Sequence, residues 1–347
     1  MSWLQNPIPS PDQRYLIAAI TRQQQLTKPA GSLGKLEELA VKLASLQSRA
    51  MPSVDRAWVS IFASDHGIAN AGVSAFPQSV TAEMIKNFVH GGAAINVLAK
   101  QSLAHLEVID VGVVTPLGDL DIIHRKIAFG TANFLHQAAM TKADLEKALL
   151  SGKEAVARAI QHKSDIFIAG EMGIGNTSSA TAVACHLLKL NAPKLTGAGT
   201  GLDNDKIQEK TLIIQQALNK FSEIENTPLT TLEYFGGFEI AALVGAYLAA
   251  AQSGLAILVD GFICSVAALV ATRINPELKP WLIFSHQSQE QGHALILNEL
   301  KAEPLLNLNM RLGEASGAAV ALPLLRSACL LHQQMATFEQ ARVSQAE

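Results

Sequence analysis

The sequence predicts an α/β protein with an open, mostly parallel sheet flanked by helices and a small helical subdomain formed by both termini. Short apolar runs rich in Val, Ile and Phe recur along the chain, each followed by a Gly- or Asp-containing turn and a helical stretch. Of the 347 residues, 49% are hydrophobic and 16% are charged, which favours a large core and argues against disorder. Both ends of the chain look helical and lack a strand-like run of their own.

Five apolar runs are the predicted strands. Continuous apolar runs are typical of parallel strands that helices cover on both faces. In chain order the runs are residues 58–63, 106–111, 165–169, 255–259 and 281–285.

The terminal stretches, residues 12–25 and 322–345, are predicted helices. We expect them to pack together beside the sheet. The predicted division is therefore an α/β catalytic domain at residues 26–321 and a small helical domain made of residues 1–25 and 322–347.

Residues 240–259 carry no charge, and about 20 apolar residues are enough to span a membrane. Gln252, Ser253 and Gly254 interrupt this stretch, so a buried helix followed by a buried strand is the favoured interpretation, with no membrane partner. A net charge of -3 gives no basic excess for binding nucleic acid.

The three cysteines are widely separated and lie in apolar surroundings, which indicates neither a disulfide framework nor a zinc site. They are predicted to be small buried side chains. The N-terminal residues do not resemble a signal peptide, so we expect a cytoplasmic protein. The cysteines are Cys185, Cys264 and Cys329.

Glycine-rich polar segments follow the predicted strands, at the sheet edge where ligands of open α/β sheets bind. After the third run, Gly173, Gly175, Asn176 and Thr177 open a helix, and their amides are candidates for holding a phosphate. An ordinary tight turn with Ser/Thr capping is the alternative. A second glycine-rich loop, with Gly199 and Gly201, favours phosphate binding; neither loop has the lysine of a Walker motif.

Glu171 and Glu314 are the best candidates for a general base. Each lies among Gly, Ala and Ser residues, where partial burial raises a carboxyl pKa, although a carboxylate at a helix start is the alternative. Asp65 and His66 follow the first strand and are more typical of a structural turn. A further group is predicted to lie on one solvated helix rather than to bind metal: His286, Glu290, His293 and Glu299.

Several segments together resemble the nicotinate-nucleotide:dimethylbenzimidazole phosphoribosyltransferase family over nearly the whole chain. Each motif is weak alone, and their order and spacing carry the resemblance. The segments are KPAGSLGKLE from Lys28, ASDHG from Ala63, GEMGIGNT from Gly170, GGF from Gly236, DGF from Asp260 and MRLGEASGAA from Met310.

The resemblance implies a transfer of ribose phosphate from nicotinate mononucleotide to an imidazole nitrogen of a benzimidazole. The products are nicotinate and an α-ribazole phosphate, formed with inversion at the anomeric carbon. It assigns the general base to Glu314 and a supporting carboxylate and lysine to Glu171 and Lys210.

The resemblance further implies a base pocket at Phe76, Met84 and Leu312, and a homodimer. For Phe76 and Met84, a place in the core of the adjoining helix is the alternative. We expect no metal and no other cofactor, because there is no pyrophosphate to bridge. The rival function is a non-catalytic module that binds a nucleotide or sugar phosphate.

Overall fold

The computed structural model describes residues 1–199 and 201–344. Among these, six strands form one sheet in the order β3-β2-β1-β4-β5-β6, with every neighbouring pair parallel, which confirms the predicted sheet. The strands are β1 (Ala57–Ser64), β2 (His105–Gly112), β3 (Ile123–His124), β4 (Ile166–Met172), β5 (Ala256–Val259) and β6 (Leu282–Phe284).

Helices lie in every connection between consecutive strands except the one from β2 to β3. In the described part of the chain the α-helices are α1 (Gln13–Gln25), α2 (Lys35–Leu46), α3 (Ser79–His90), α4 (Ala94–Gln101), α5 (Lys142–Gln161), α6 (Asn176–Leu188), α7 (Asn204–Lys220), α8 (Pro228–Phe235), α9 (Phe238–Gln252), α10 (Phe262–Ile274), α11 (His293–Leu300), α12 (Ser316–Gln334) and α13 (Phe338–Ala341). Short 3-10 helices lie at Ser2–Gln5, Gly67–Ala71, Ala192–Lys194 and Pro276–Trp281.

The apolar runs become strands because helices cover both faces of the sheet. All eight residues of β1 are buried, and neighbouring side chains of a strand point to opposite faces. The five predicted runs coincide with β1, β2, β4, β5 and β6. Strand β3 was not predicted, because its two residues at the sheet edge are too few to form a pattern.

The uncharged stretch at residues 240–259 folds as the buried part of α9 followed by strand β5, as predicted. Every residue of α9 except Gln252 is buried, and the helix contacts β1, β2, β4 and β5. In the described part of the chain, no helix combines the length and the apolar character needed to cross a membrane.

The two ends of the chain meet beside α2. Helices α1 and α12 both pack on α2, and the Arg22 guanidinium donates to the carbonyls of His332 and Gln333 at 2.6 and 2.9 Å. Helix α12 runs without interruption across the predicted boundary at residue 321, so the division into two domains stays a prediction. Residues 345–347, the end of the predicted helical stretch, lie outside the described residues.

Helices α5 and α9 pack closely because glycines form their contact. A Cβ added at Gly152 would overlap the carbonyl oxygen of Ala242, and one at Gly245 would overlap that of Leu149. The two helix backbones therefore touch without intervening side chains.

We predict that Gly245→Ala lowers the free energy of unfolding by about 1–3 kcal/mol, the usual cost of overpacking a core. The measurement is chemical denaturation followed by circular dichroism. Gly261→Ala is the control, because the nearest atom to its added Cβ lies at 3.4 Å. Equal stability of the two variants would contradict the close backbone contact.

Candidate functional site

A cleft of about 640 Å³ opens beyond the carboxyl ends of β4, β5 and β6. Its lining comes from the ends of these strands, from α3, from the start of α6 and from the segment before α12. Of the predicted site residues, the cleft brings together Phe76, Met84, Glu171, Gly173, Asn176, Thr177, Gly199, Leu312 and Glu314.

Glu314 lies in a left-handed turn directly before α12. Gly313, Glu314 and Ala315 have φ values of 86°, 60° and 61°. A side chain in this region costs about 1–2 kcal/mol per residue, so the surrounding contacts must hold the turn in place. Such strain is concentrated at functional sites.

The Glu314 carboxyl is buried, with 5% of the residue exposed. Burial, together with the negative charge of Asp260, raises its pKa to about 7. Its Oε2 atom has no hydrogen-bond partner among the described residues. Glu314 is therefore an unusually basic carboxyl group on the cleft.

Glu171, at the end of β4, holds the turn from one side. Its carboxylate accepts a hydrogen bond from the Asn176 side-chain amide, and the backbone N–H of Glu314 lies close enough to favour the anion. Its pKa is raised well above the ordinary value by burial and by the negative charges of Asp260, Glu239 and Glu314. Glu171 thus touches the backbone of the candidate base.

Lys210 lies behind the cleft lining, with 1% of the residue exposed. Its ammonium donates to Thr177 Oγ1 at 2.9 Å and to the carbonyl oxygen of Gly197 at 3.3 Å. Burial lowers its pKa to about 8, and the charge of Glu290 opposes this shift. The lysine therefore places a positive charge between the two glycine-rich loops.

In each of the two glycine-rich loops, one backbone amide already has a partner within the protein. The backbone amide of Asn176 already donates to the carbonyl of Gly173 at 3.1 Å. Gly175 has φ 100°, which a glycine adopts without strain, and it begins α6. In the second loop, Gly199 lines the cleft while the Gly201 amide donates to the Ala198 carbonyl at 3.1 Å. Residue 200 lies outside the described residues.

The predicted base-pocket residues form an apolar wall on the cleft. Phe76 and Leu312 are 49% and 58% exposed on this wall, and Val80 lies beside them. Met84 also packs against the hydrophobic core, so for this residue both predicted roles are compatible with the structure.

The prediction of one solvated helix carrying four titratable residues is wrong. Helix α11 begins only at His293, and His286 and Glu290 precede it in a loop that lines the cleft. His293 is buried between Ser265 and the amide of Ser288, and its pKa falls to about 3 through burial and the neighbouring His286. The loop directly follows strand β6. This position after the end of a strand was the sequence signal that could have indicated that the loop lines the cleft.

Asp260 belongs to the DGF motif, but it is not among the site residues that the sequence predicts. It follows β5 directly, is 1% exposed and lies 4.0 Å from His286 Nδ1. Asp260, His286, Ser288, Glu290 and Arg311 all line the cleft.

Asp65 and His66 serve the structure beneath the cleft. Asp65 accepts hydrogen bonds from the Thr81 hydroxyl at 2.6 Å and from the Val114 amide at 2.8 Å. His66 Nε2 lies 2.7 Å from Glu239 Oε1, and neither side chain is exposed. This agrees with the interpretation of the pair as a structural turn.

Comparisons with known proteins identify the class of protein to which the chain belongs. Residues 8–343 match a family model described as a phosphoribosyltransferase. A nicotinate-nucleotide–dimethylbenzimidazole phosphoribosyltransferase from Pseudomonas syringae is 55% identical over 343 residues, covering 99% of this chain and 98% of the relative. One from Xanthomonas oryzae is 54% identical, with 99% of both chains covered.

A crystal structure of the enzyme of the same name from Thermus thermophilus superposes with a TM-score of 0.91 at 41% identity. The match covers 96% of this chain and 100% of that one. The chain belongs to the nicotinate-nucleotide–dimethylbenzimidazole phosphoribosyltransferase family, which confirms the resemblance seen in the sequence motifs.

We predict that Gly313→Ala lowers phosphoribosyltransferase activity by about 10²-fold, because a Cβ there would lie 2.5 Å from Glu171 Oε1 and displace the contact to the turn. Steady-state kinetics give the measurement. Gly31→Ala is a matched control: its φ of 75° is also left-handed, and no described atom lies within 4 Å of the added Cβ. Equal losses in the two variants would refute this function of the contact.

Proposed function

We propose that the cleft transfers ribose phosphate from nicotinate mononucleotide to a benzimidazole. The bond between the ribose anomeric carbon and the pyridinium nitrogen breaks, and a bond from that carbon to an imidazole nitrogen forms with inversion. Nicotinate leaves with a neutral ring nitrogen, so its departure needs no acid. The imidazole N–H proton must be removed, so the reaction needs a base.

The buried Glu314 carboxyl on the cleft is the observation that carries this proposal. Its pKa of about 7 suits proton removal near neutral pH. The apolar wall of Phe76, Val80 and Leu312 is suited to a flat aromatic acceptor. In this arrangement the acceptor's polar edge meets the Glu314 carboxyl where it lines the cleft.

Glu171 and Lys210 have supporting roles in this proposal. Glu171 fixes the backbone of Glu314, and its contact with Asn176 connects that turn to the start of α6. Lys210 supplies positive charge beside Thr177, where the anionic donor would bind.

The phosphate is proposed to bind at the start of α6. The amides of Gly173, Gly175 and Thr177 and the positive end of the helix dipole favour an anion there. The backbone amide of Asn176 already has a partner. Asn176 would therefore help to shape this turn and would not donate its own amide to the phosphate. Gly199 approaches from the second loop, and a Cβ there would lie 3.1 Å from Lys210 Nζ.

We further propose a cytoplasmic homodimer that acts without a metal or other cofactor. The family resemblance supports the dimer, and three free buried cysteines suit a reducing compartment. The donor has no pyrophosphate to bridge, and within the described residues no group of three or more His, Cys, Asp or Glu forms a metal-binding cluster.

We predict that Glu314→Gln lowers the rate of nicotinate release by about 10²–10⁴-fold, the loss expected when a general base is removed. Chromatography of the released nicotinate gives the rate. Wild-type kcat/KM should fall as pH drops below about 7, because protonated Glu314 cannot accept the imidazole proton.

The dissociation constant of nicotinate mononucleotide, measured by calorimetry, should stay nearly constant in Glu314→Gln. Full activity in this variant would rule out Glu314 as the base. Binding of the nucleotide by the wild-type protein with no release of nicotinate would instead favour the non-catalytic module.

We predict that Phe76→Ser and Met84→Gln change the preference for dimethylbenzimidazole over unsubstituted benzimidazole or adenine. Both side chains line the cleft, and an aromatic contact from Phe76 contributes about 0.5–1.5 kcal/mol to binding. Competition between the bases gives the ranking. A lower Tm with an unaltered ranking would assign these residues to the core alone.

A further inference from the structure

Asp260 occupies a position that the proposed chemistry does not use. It stands at the carboxyl end of β5, and its Oδ1 accepts the backbone N–H of Ala318 at 2.8 Å. The backbone N–H groups of Gly261 and Gly317 lie near this carboxylate and also favour its anion. With 1% of the residue exposed, Asp260 is a buried carboxylate directed at the first turn of α12.

The first turn of α12 needs such an acceptor. The first amides of a helix have no partner within it, and a Ser, Thr, Asp or Asn side chain usually accepts from them. Here the capping residue is Ala315, which has no polar side chain. Asp260 supplies the missing acceptor from another part of the chain.

This contact and the Glu171 contact lie on opposite ends of the strained turn. The Glu171 carboxyl lies beside the N–H of Glu314, while Asp260 accepts from the amide of Ala318 just beyond the turn. Two buried carboxylates thus anchor a turn whose φ values are left-handed at three consecutive residues. Without both anchors, a conventional helix start is the lower-energy conformation.

Asp260 also contributes charge to the cleft. Burial raises its pKa, whereas His286 and the three amides favour the anion. The anion in turn favours the protonated form of Glu314 and so makes that group a stronger base. The other titratable or charged groups that line the cleft are Glu171 from β4, Cys264 from α10, His286 and Glu290 from the loop after β6, and Arg311 from the segment before α12.

We propose that Asp260 is a positioning residue for Glu314: its carboxylate fixes the first turn of α12 and places a buried negative charge on the same cleft as the Glu314 carboxyl. This inference rests on the proposed function, because it assigns to Glu314 the removal of a proton. Asp260 itself touches neither reacting atom in this account.

Asp260→Asn tests the charge while keeping an oxygen that can accept the Ala318 amide. We expect the acid limb of the kcat/KM profile to move to lower pH by about one unit, as loss of a neighbouring charge predicts. We expect kcat at the plateau to fall by about tenfold, because Glu314 becomes a weaker base. The dissociation constant for nicotinate mononucleotide should change by less than about twofold.

Asp110→Asn is the matched control. Asp110 is also fully buried and accepts two backbone amides, those of Gly112 at 3.0 Å and Val113 at 2.9 Å, but it does not line the cleft. We expect this variant to lose thermal stability and to keep the wild-type acid limb. If Asp260 only stabilised the fold, Asp260→Asn would likewise lose thermal stability and keep the wild-type acid limb.

An acid limb that stays at the wild-type pH in Asp260→Asn would therefore overturn the proposal. If the Asn variant does not fold, Asp260→Ser retains a neutral capping oxygen and gives the same comparison. The ionisation of Glu314 is also followed directly by carbon NMR of labelled glutamate carboxyls, with Glu314→Gln to assign the signal. This titration measures the effect of Asp260 on Glu314 without any need for turnover. If the wild-type protein released no nicotinate, that result would refute the proposed function, and the titration would still test the inference.

Discussion

The site depends on one strained turn held by buried carboxylates. Glu314 and Ala315 adopt left-handed φ values that strong local contacts must maintain. Glu171 lies beside the N–H of Glu314, and Asp260 accepts the amide of Ala318 just beyond the turn. Both come from the ends of neighbouring parallel strands, so the rigid sheet determines where the candidate base lies. Burial of the Glu314 carboxyl, together with the negative charge of Asp260, raises its pKa.

This arrangement connects the fold to the proposed chemistry. A transfer that begins with a cationic pyridinium needs no acid for its leaving group, so the protein's main task is to provide a base for the acceptor. A carboxylate with an ordinary pKa would be weakly basic at neutral pH. Burial and the negative charge of Asp260 make it more basic, and Lys210 and the start of α6 offer separate stabilisation for the donor's phosphate.

Much of the fold was predictable from the sequence, because its signals are local. Continuous apolar runs identified β1, β2, β4, β5 and β6, and the residues after those strands indicated the correct edge of the sheet. The contribution of Asp260 was not predictable, since its partner at Ala318 is 58 residues away and the sequence gives no sign of the contact. The loop containing His286 and Glu290 was misjudged because its charged residues resemble a solvated helix, whereas tertiary packing directs them into the cleft. Left-handed φ at Glu314 and Ala315 was also hidden, because neither residue type favours that conformation.

The most direct test of this account is a crystal structure with nicotinate mononucleotide and a benzimidazole bound together, using Glu314→Gln to prevent turnover. The account predicts that the imidazole nitrogen lies about 2.6–3.2 Å from the side-chain oxygen or nitrogen of residue 314, with the phosphate at the start of α6. It also predicts that the turn remains left-handed in the complex. A benzimidazole whose nitrogens face away from residue 314, or a phosphate bound elsewhere, would contradict it.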